Sequence, residues 1–400
     1  MSKNFSYVAL QLLMSRCRRL VTNNRISDAL ELLDPVGIHS HDTEAVLYKA
    51  QLLINLKRFQ EAENLLLDEI RFDNDNTSLQ VFLGQLYQRL GRWDQCWSLT
   101  ESTVFKQQKI MGCGPGDMPS SLNHIKAQGR RPRVLCYQDR GGLGDCIQFL
   151  RFLNHPCLQD VDLCLRVPAV LQDLVACNFP TATVQAAATG HVLESTRADF
   201  DIRCTFFSLP AALGLTQESQ LRSDPYIHCD AAQAQCVRTK VRAPQDSLIM
   251  GFQWRGSDVS LGQGPGAERS IPLTCLDDFV PGSVSIVSLR KDTVPAEQQW
   301  MCHWGIIDVV DVIMDLAQTA AVISHLDFVV TIDTSTAHLA GAMGKPTYLL
   351  LPYSSAPIWL ENRLDTPWYT SMQLIRQKTA GDWHDCAATL RILLRRDWGI

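Results

Sequence analysis

Over the first hundred residues the apolar positions recur every three or four residues, the period of amphipathic helices. Beyond residue 131 they gather instead into short, nearly continuous runs. The helical part carries a self-similarity. KRFQEA (Lys57 to Ala62) aligns with GRWDQC (Gly91 to Cys96), and the offset from Lys57 to Gly91 also relates Ala50 to Gly84 and Leu53 to Tyr87. Paired helices repeating every ~34 residues, with small and bulky apolar positions in fixed places, have the tetratricopeptide (TPR) spacing. NRISDA (Asn24 to Ala29) reads as an earlier copy, one position out of phase. Helix pairs of this kind cannot bury their apolar faces alone, so residues 1–106 are expected to hold two or three stacked units. Such a module offers a surface for a protein partner without naming one. Residues 107–130, with MGCGPGDMPSS and a basic Gly/Pro-containing stretch, read as a linker.

The later runs have the texture of buried strands. RVLCYQ (Arg133 to Gln138), VDLCLRV (Val161 to Val167) and TATVQAA (Thr181 to Ala187) are separated by segments that suit helices, and residues 131–240 therefore read as one α/β domain. A second series, LIMGFQW (Leu248 to Trp254), VSIVSL (Val284 to Leu289), DFVVTID (Asp327 to Asp333) and PTYLLLP (Pro346 to Pro352), predicts another over residues 241–400. Within it Val312 to His325 reads as a helix, and Asp382 to Arg396 as a closing one. Two consecutive α/β halves imply a cleft between them.

Composition narrows the function classes. The chain has 400 residues, 46% apolar and 20% charged, which suits a globular protein of two or three domains. A net charge of -5 gives no general electrostatic footprint for nucleic acid or an anionic membrane. The 14 cysteines are scattered singly without a C-x-x-C pair, which argues against a zinc site and against a disulfide framework. A reducing cytoplasm is the expected compartment, in solution or at the inner face of the membrane. The start, Lys3 and then Phe5 to Met14, ends in Arg16, Arg18 and Arg19 rather than in a cleavage site, so it reads as an amphipathic helix. No apolar run is long enough to span a bilayer.

Two loops carry the candidate chemistry. DRGGLGD (Asp139 to Asp145) follows the first strand of the first half, and its glycines, Gly142 and Gly144 among them, allow tight turning and close approach to a ligand. Asp145 opens the next helix, where a capping role is the competing reading. The spacing is not G-x-G-x-x-G, which disfavours a dinucleotide oxidoreductase. The second loop is IDTSTAHLAGAMGKP (Ile332 to Pro346). There a strand ends at Asp333 and a helix begins among Thr334, Ser335 and Thr336, whose free N–H groups and hydroxyls suit a pyrophosphate. His338, one turn beyond Thr334, can add a donor; a buried, satisfied imidazole is the alternative. Trp254, at the end of a strand, is the best candidate to stack on a base or sugar. The D-x-D string at Asp160 to Asp162 begins a strand away from these loops and reads as a chance surface pair.

These segments resemble a family. GGLGD with IQFLRFL, GFQWRGS, ERSIPL, LDFVVTIDTSTAHLAGAMGKPTYLLLP, DTPWY, RQ and GDW look like the TPR-linked bacterial relatives of glycosyltransferase family 9, the ADP-heptose heptosyltransferases, over roughly residues 131 to 385. The resemblance implies a GT-B fold, two Rossmann-like domains with a facing cleft, behind the all-α repeat module. It also implies a glycosyltransferase using a nucleotide-diphosphate sugar as co-substrate and no resident cofactor or metal. By similarity Asp145 matches the general base, and Asp333, Thr334, Ser335, Thr336 and His338 match the donor-diphosphate loop. Arg255 and Arg269 look like the positions that neutralise the leaving diphosphate, with the choice between them open. The chain departs from the pattern in a Gly-rich insertion, Asp258 to Glu268, and in having arginine where relatives carry a lysine near Arg255. A metal-independent, inverting transfer to a glycan or protein hydroxyl is the expectation. A catalytically idle scaffold and another nucleotide-sugar enzyme, such as an epimerase, are the alternatives.

Overall fold

The computed structural model describes residues 7–22, 25–33, 42–106, 110–114, 116–138, 141–187, 199–222, 224–244, 247–256, 269–282 and 284–400. They form two compact units, one of residues 1–107 with Ala356–Glu361 and one of the remainder.

The first unit contains the helices α1 (Tyr7–Thr22), α2 (Ile26–Leu33), α3 (Thr43–Asn55), α4 (Phe59–Phe72), α5 (Thr77–Arg89) and α6 (Trp93–Lys106). The offset from Lys57 to Gly91 also separates α5 from α3 and α6 from α4, at both ends of each helix, so the period read from the chain is the period of the helices. The turn chemistry repeats as well. Asp42 caps α3 by accepting the Ala45 N–H at 2.9 Å, and Asn76, one period on, caps α5 by accepting the Leu79 N–H at 3.2 Å. Each pair is joined through a left-handed residue, Lys57 with φ 59° and Gly91 with φ 69°, a conformation that glycine adopts without strain. Ala50, Leu53, Leu83 and Tyr87 are buried. The segment Ala356–Glu361 packs in this unit, where the side chain of the half-buried Glu361 turns inward to pair with Arg89 at 2.5 Å and with Lys57 at 2.9 Å. The start of α2 precedes that of α4 by one position less than a full period. This is the out-of-phase copy anticipated from Asn24 to Ala29, of which Asn24 lies outside the described residues.

The second unit holds two parallel α/β domains. The first contains β1 (Ile110–Met111), α7 (Met118–Ala127), β2 (Arg133–Tyr137), α8 (Leu143–Leu150), β3 (Asp162–Pro168), α9 (Gln172–Asn178), β4 (Thr183–Ala187), β5 (Ile202–Thr205), α10 (Leu209–Ala212) and α11 (Ala231–Val237). Its sheet runs β1-β5-β2-β3-β4, parallel except for β1. The second contains β6 (Ile249–Gln253), β7 (Ser285–Ser288), α12 (Pro295–His303), β8 (Ile307–Asp308), α13 (Leu316–Ser324), β9 (Phe328–Ile332), α14 (Ser335–Ala342), β10 (Thr347–Leu351), β11 (Met372–Arg376) and α15 (His384–Trp398). Its sheet is parallel throughout, in the order β11-β10-β9-β6-β7-β8. Every residue of β9 and β10 is buried, because helices cover both faces of a parallel sheet and remove the alternation seen in half-exposed strands.

Two expectations change. Much of the stretch read as a linker, 107–130, is built into the first α/β domain: β1 pairs antiparallel with β5, and α7 buries Met118 and Leu122. Gly and Pro there punctuate short elements rather than free the chain. The strands β5, β8 and β11 did not stand out as apolar runs, being short or at the sheet margins.

Candidate active site

In an open parallel sheet the loops that leave the carboxyl ends of the strands form the ligand-binding edge. Both candidate loops leave such ends. The turn after β2 leads into α8, and the turn after β9 leads into α14. α8 and α14 pack directly against one another, which brings together two segments that are distant in the sequence.

The α8 turn is shaped by its glycines. Gly141 adopts φ 81°, and a Cβ there would stand 2.5 Å from the Phe207 ring and 2.8 Å from the Asp145 carboxylate. Only glycine lets the backbone pass between them. Asp145 Oδ2 accepts the Gly142 N–H at 2.7 Å, so the carboxylate steadies the start of its own helix. Capping and a chemical role are thus not exclusive. Burial pushes the Asp145 carboxyl above the usual aspartate range, and the Gly142 N–H and the charge of Arg269 only partly pull it back. Asp139 and Arg140, earlier in the same loop, lie outside the described residues.

Gly142 and Gly144, expected at the donor, have other employment here. The Gly142 N–H is taken by Asp145. Gly144 is the contact point with α14, where a Cβ would come 2.5 Å from His338 Cδ2. The glycine allows helix–helix approach.

The α14 turn is different. Its N-cap residue, Thr334, is extended and makes no side-chain cap. Its hydroxyl points back to the Ile332 carbonyl at 3.4 Å. Asp333, Thr334 and Ser335 are half-buried and Thr336 is buried. First-turn N–H groups without a side-chain cap, carrying the positive end of the helix dipole, suit an anion. His338 is a structural imidazole: 5% exposed, bonded through Nδ1 to the Tyr369 hydroxyl at 2.9 Å and lodged on Gly144. Burial and the nearby Arg151 charge lower its pKa to about 3, so it brings no positive charge to a diphosphate. Its Nε2 lies 4.0 Å from Asp333 Oδ1.

The two arginines separate clearly. Arg255 is 7% exposed and its guanidinium grips the buried Glu297, Nε to Oε1 at 2.9 Å and Nη2 to Oε2 at 3.0 Å. Trp254, 1% exposed, donates to the same carboxylate at 2.7 Å and packs against Phe252 and Trp300 in the core of the second domain. Neither is placed as expected, because a strand end beside an acidic helix turn drew both inward. Arg269 is half-buried, acts on Asp145 electrostatically, and keeps a buried Nε without a hydrogen-bond partner among the described residues. The Gly-rich insertion Asp258 to Glu268 lies outside them.

Asp162 opens β3, at the end of its sheet opposite to the one the α8 turn leaves, and pairs with Arg131 at 3.0 Å. Among the described residues no group of three or more His, Cys, Asp or Glu side chains is arranged to hold a metal ion, and no helix is long and apolar enough to cross a membrane. Sequence reasoning passed over Arg151, Tyr226 and Tyr369, which form a buried cluster under the α8–α14 contact. The only signal was the presence of Arg151 in IQFLRFL and of Tyr369 in DTPWY.

Residues 309–359 match the model of glycosyltransferase family 9 (heptosyltransferase). No curated protein matches the sequence. Among solved structures, the chain is similar to the glycosyl transferase family 9 protein from Veillonella parvula DSM 2008, at 13% identity over 67% of this chain and 91% of that one, with a TM-score of 0.43. It is similar to E. coli ADP-heptose lps heptosyltransferase II at 13% identity over 66% and 99%, with a TM-score of 0.44. Similarity to the Thermobaculum terrenum O-GlcNAc transferase runs over 96% of this chain and 92% of that one, at 11% identity and a TM-score of 0.26. The family-matched segment runs through β9, α14 and β10 and contains Asp333 to His338. Through it the chain is related to glycosyltransferase family 9, and it is a glycosyltransferase.

Proposed function

We propose that the protein transfers a sugar, with inversion and without a metal ion, from a nucleoside-diphosphate sugar to a hydroxyl of a glycan or protein. The observation that supports this reading is the packing of α8 on α14, with Gly144, next in the chain to Asp145, against His338, one turn into the helix that starts at Thr334. Asp145 takes the proton of the acceptor hydroxyl as its oxygen bonds to the anomeric carbon. The bond from that carbon to the diphosphate breaks on the opposite face, and the nucleoside diphosphate leaves. A general base so placed contributes about 10²–10⁴-fold. The leaving charge is received by the first turn of α14, Thr334 to Thr336, and by Arg269, whose buried Nε has a donor to offer. Asp333 lines the same turn. ADP-heptose is the first donor to try, since the family model matched by β9 to β10 is that of the heptosyltransferases. The work is expected in the cytoplasm or at the inner membrane face, with the repeats available to a polypeptide acceptor or partner.

Thermal unfolding in the presence of ADP-, UDP- and GDP-sugars tests this. A donor at a hundredfold excess over its Kd stabilises by about 2.7 kcal/mol. We expect ADP-heptose to raise the midpoint and to be turned over in the presence of EDTA. Binding without turnover with any acceptor would mark an idle scaffold, and an isomerised sugar among the products would mark an epimerase.

A further inference from the structure

We propose that Arg151 is a positioning residue, which grips the far end of α8 so that Asp145 stays in register with the N-terminal turn of α14. The inference rests on the proposed function for its catalytic consequence, though not for its geometry. Arg151 follows α8 directly and is 4% exposed. Its guanidinium donates to main-chain carbonyls of three separate segments: from Nε to Gln148 at 2.9 Å, and from Nη1 to Leu221 at 2.9 Å and to Trp368. Nη2 reaches the Tyr226 hydroxyl at 3.3 Å, which itself donates to the Ile147 carbonyl at 3.0 Å. The guanidinium carbon also lies over the rings of Tyr226, Trp368 and Tyr369, 4.7 to 5.2 Å from their centroids.

No carboxylate is among these partners. A buried cation is costly unless fully bonded, and here carbonyls and aromatic faces take the place of an acid. A lysine has three donors on a single point and cannot span three segments at once, whereas the planar five-donor fork can.

The contacts close a ring. Tyr369 lies under Arg151 and against α14, where a Cβ at Gly341 would stand 2.4 Å from its ring. Its hydroxyl holds His338 Nδ1, and the His338 ring rests on Gly144, next in the chain to Asp145. α8 is therefore held at its carboxyl end by Arg151 and at its amino end by His338, with Tyr369 common to both.

The test uses Arg151→Met and Arg151→Lys in the full chain, with two readouts. The first is the ¹⁵N-histidine NMR spectrum, with the His338 signals assigned through His338→Gln; it needs no donor. In the wild type we expect one fixed neutral tautomer, and in both variants a shifted or broadened ring signal. The second is turnover of ADP-heptose, where misplacement of the base lowers kcat by about 10²-fold while ADP affinity changes little, since the base does not hold the nucleotide. An unchanged His338 spectrum in either folded variant overturns the proposal. So does full kcat in Arg151→Lys, since charge without the fork then suffices. If Arg151→Met does not fold, the lysine variant carries both readouts. If the wild type turns over no ADP-heptose, the sugar-transfer reading fails while the spectrum still decides the positioning role.

Discussion

The two helix N-termini that meet at the candidate site are opposites. α8 is closed by its own third residue, Asp145, which turns back to the Gly142 N–H, while α14 begins at Thr334 with no side-chain cap. Elsewhere α3, α11 and α13 are closed by Asp42, Asp230 and Asp315, whereas α4, α7, α9 and α15 also start without a side-chain cap; what sets α14 apart is its place after the carboxyl end of β9 and against α8. A helix start left uncapped inside a packed domain has donors to give away, and one that binds its own carboxylate keeps that carboxylate fixed. The difference supports the roles proposed above, a base on α8 and an anion site at α14.

The largest expected effect comes from removing the base while leaving the anion turn intact. Asp145→Asn should lower sugar transfer by about 10²–10⁴-fold. Binding of ADP, measured by calorimetry, should change less than about threefold if the two turns are separate in function. Because burial raises the Asp145 carboxyl above the usual aspartate range, wild-type kcat/KM should rise with pH through a limb lying above that range. The asparagine variant should lack this limb. Equal loss of binding and turnover would merge the two turns into one.

The arginines sharpen the same division. Arg255→Met leaves the buried Glu297 without its cation, with only the Trp254 and Val294 N–H groups to hold it, and should cost about 3–5 kcal/mol of stability, read as a fall in Tm and urea midpoint. Arg269→Met should leave Tm nearly unchanged and weaken ADP binding by about 1.5–3 kcal/mol, the worth of a hydrogen bond to a charged group. The reverse pattern would place the diphosphate at Arg255.

The contact between the helices is probed by Gly144→Ala, whose new methyl meets His338 and should cost about 1–3 kcal/mol by overpacking. Turnover per folded molecule should fall as well, because the methyl pushes the base away from α14. The smallest effect belongs to the repeat unit. Asn76→Ala removes the cap of α5 and should cost about 1 kcal/mol, with ADP binding untouched.

Much of this was legible in the chain. The repeat period appears in the ends, caps and left-handed joints of α3 to α6, since each depends on residues a few positions apart. The strand-turn-helix patterns at Asp145 and at Thr334 were likewise local, and the runs of β9 and β10 declared a sheet covered on both faces. The linker misled because Gly and Pro mark the ends of short elements as readily as they mark free chain. Arg151 was hidden because a single arginine in an apolar helix end looks the same whether it faces water or three carbonyls.

The amino-acid order by itself thus determined the repeat, the two α/β halves and the turns where chemistry was to be sought, all of which follow from spacing and turn propensity within a few residues. The tertiary structure alone decided which arginine keeps an acid company. It also decided that Gly144 serves a histidine rather than a ligand, and that α8 is gripped at both ends. Those outcomes depend on partners such as Glu297, His338 and Trp368, far away in the sequence, whose proximity is created only by packing.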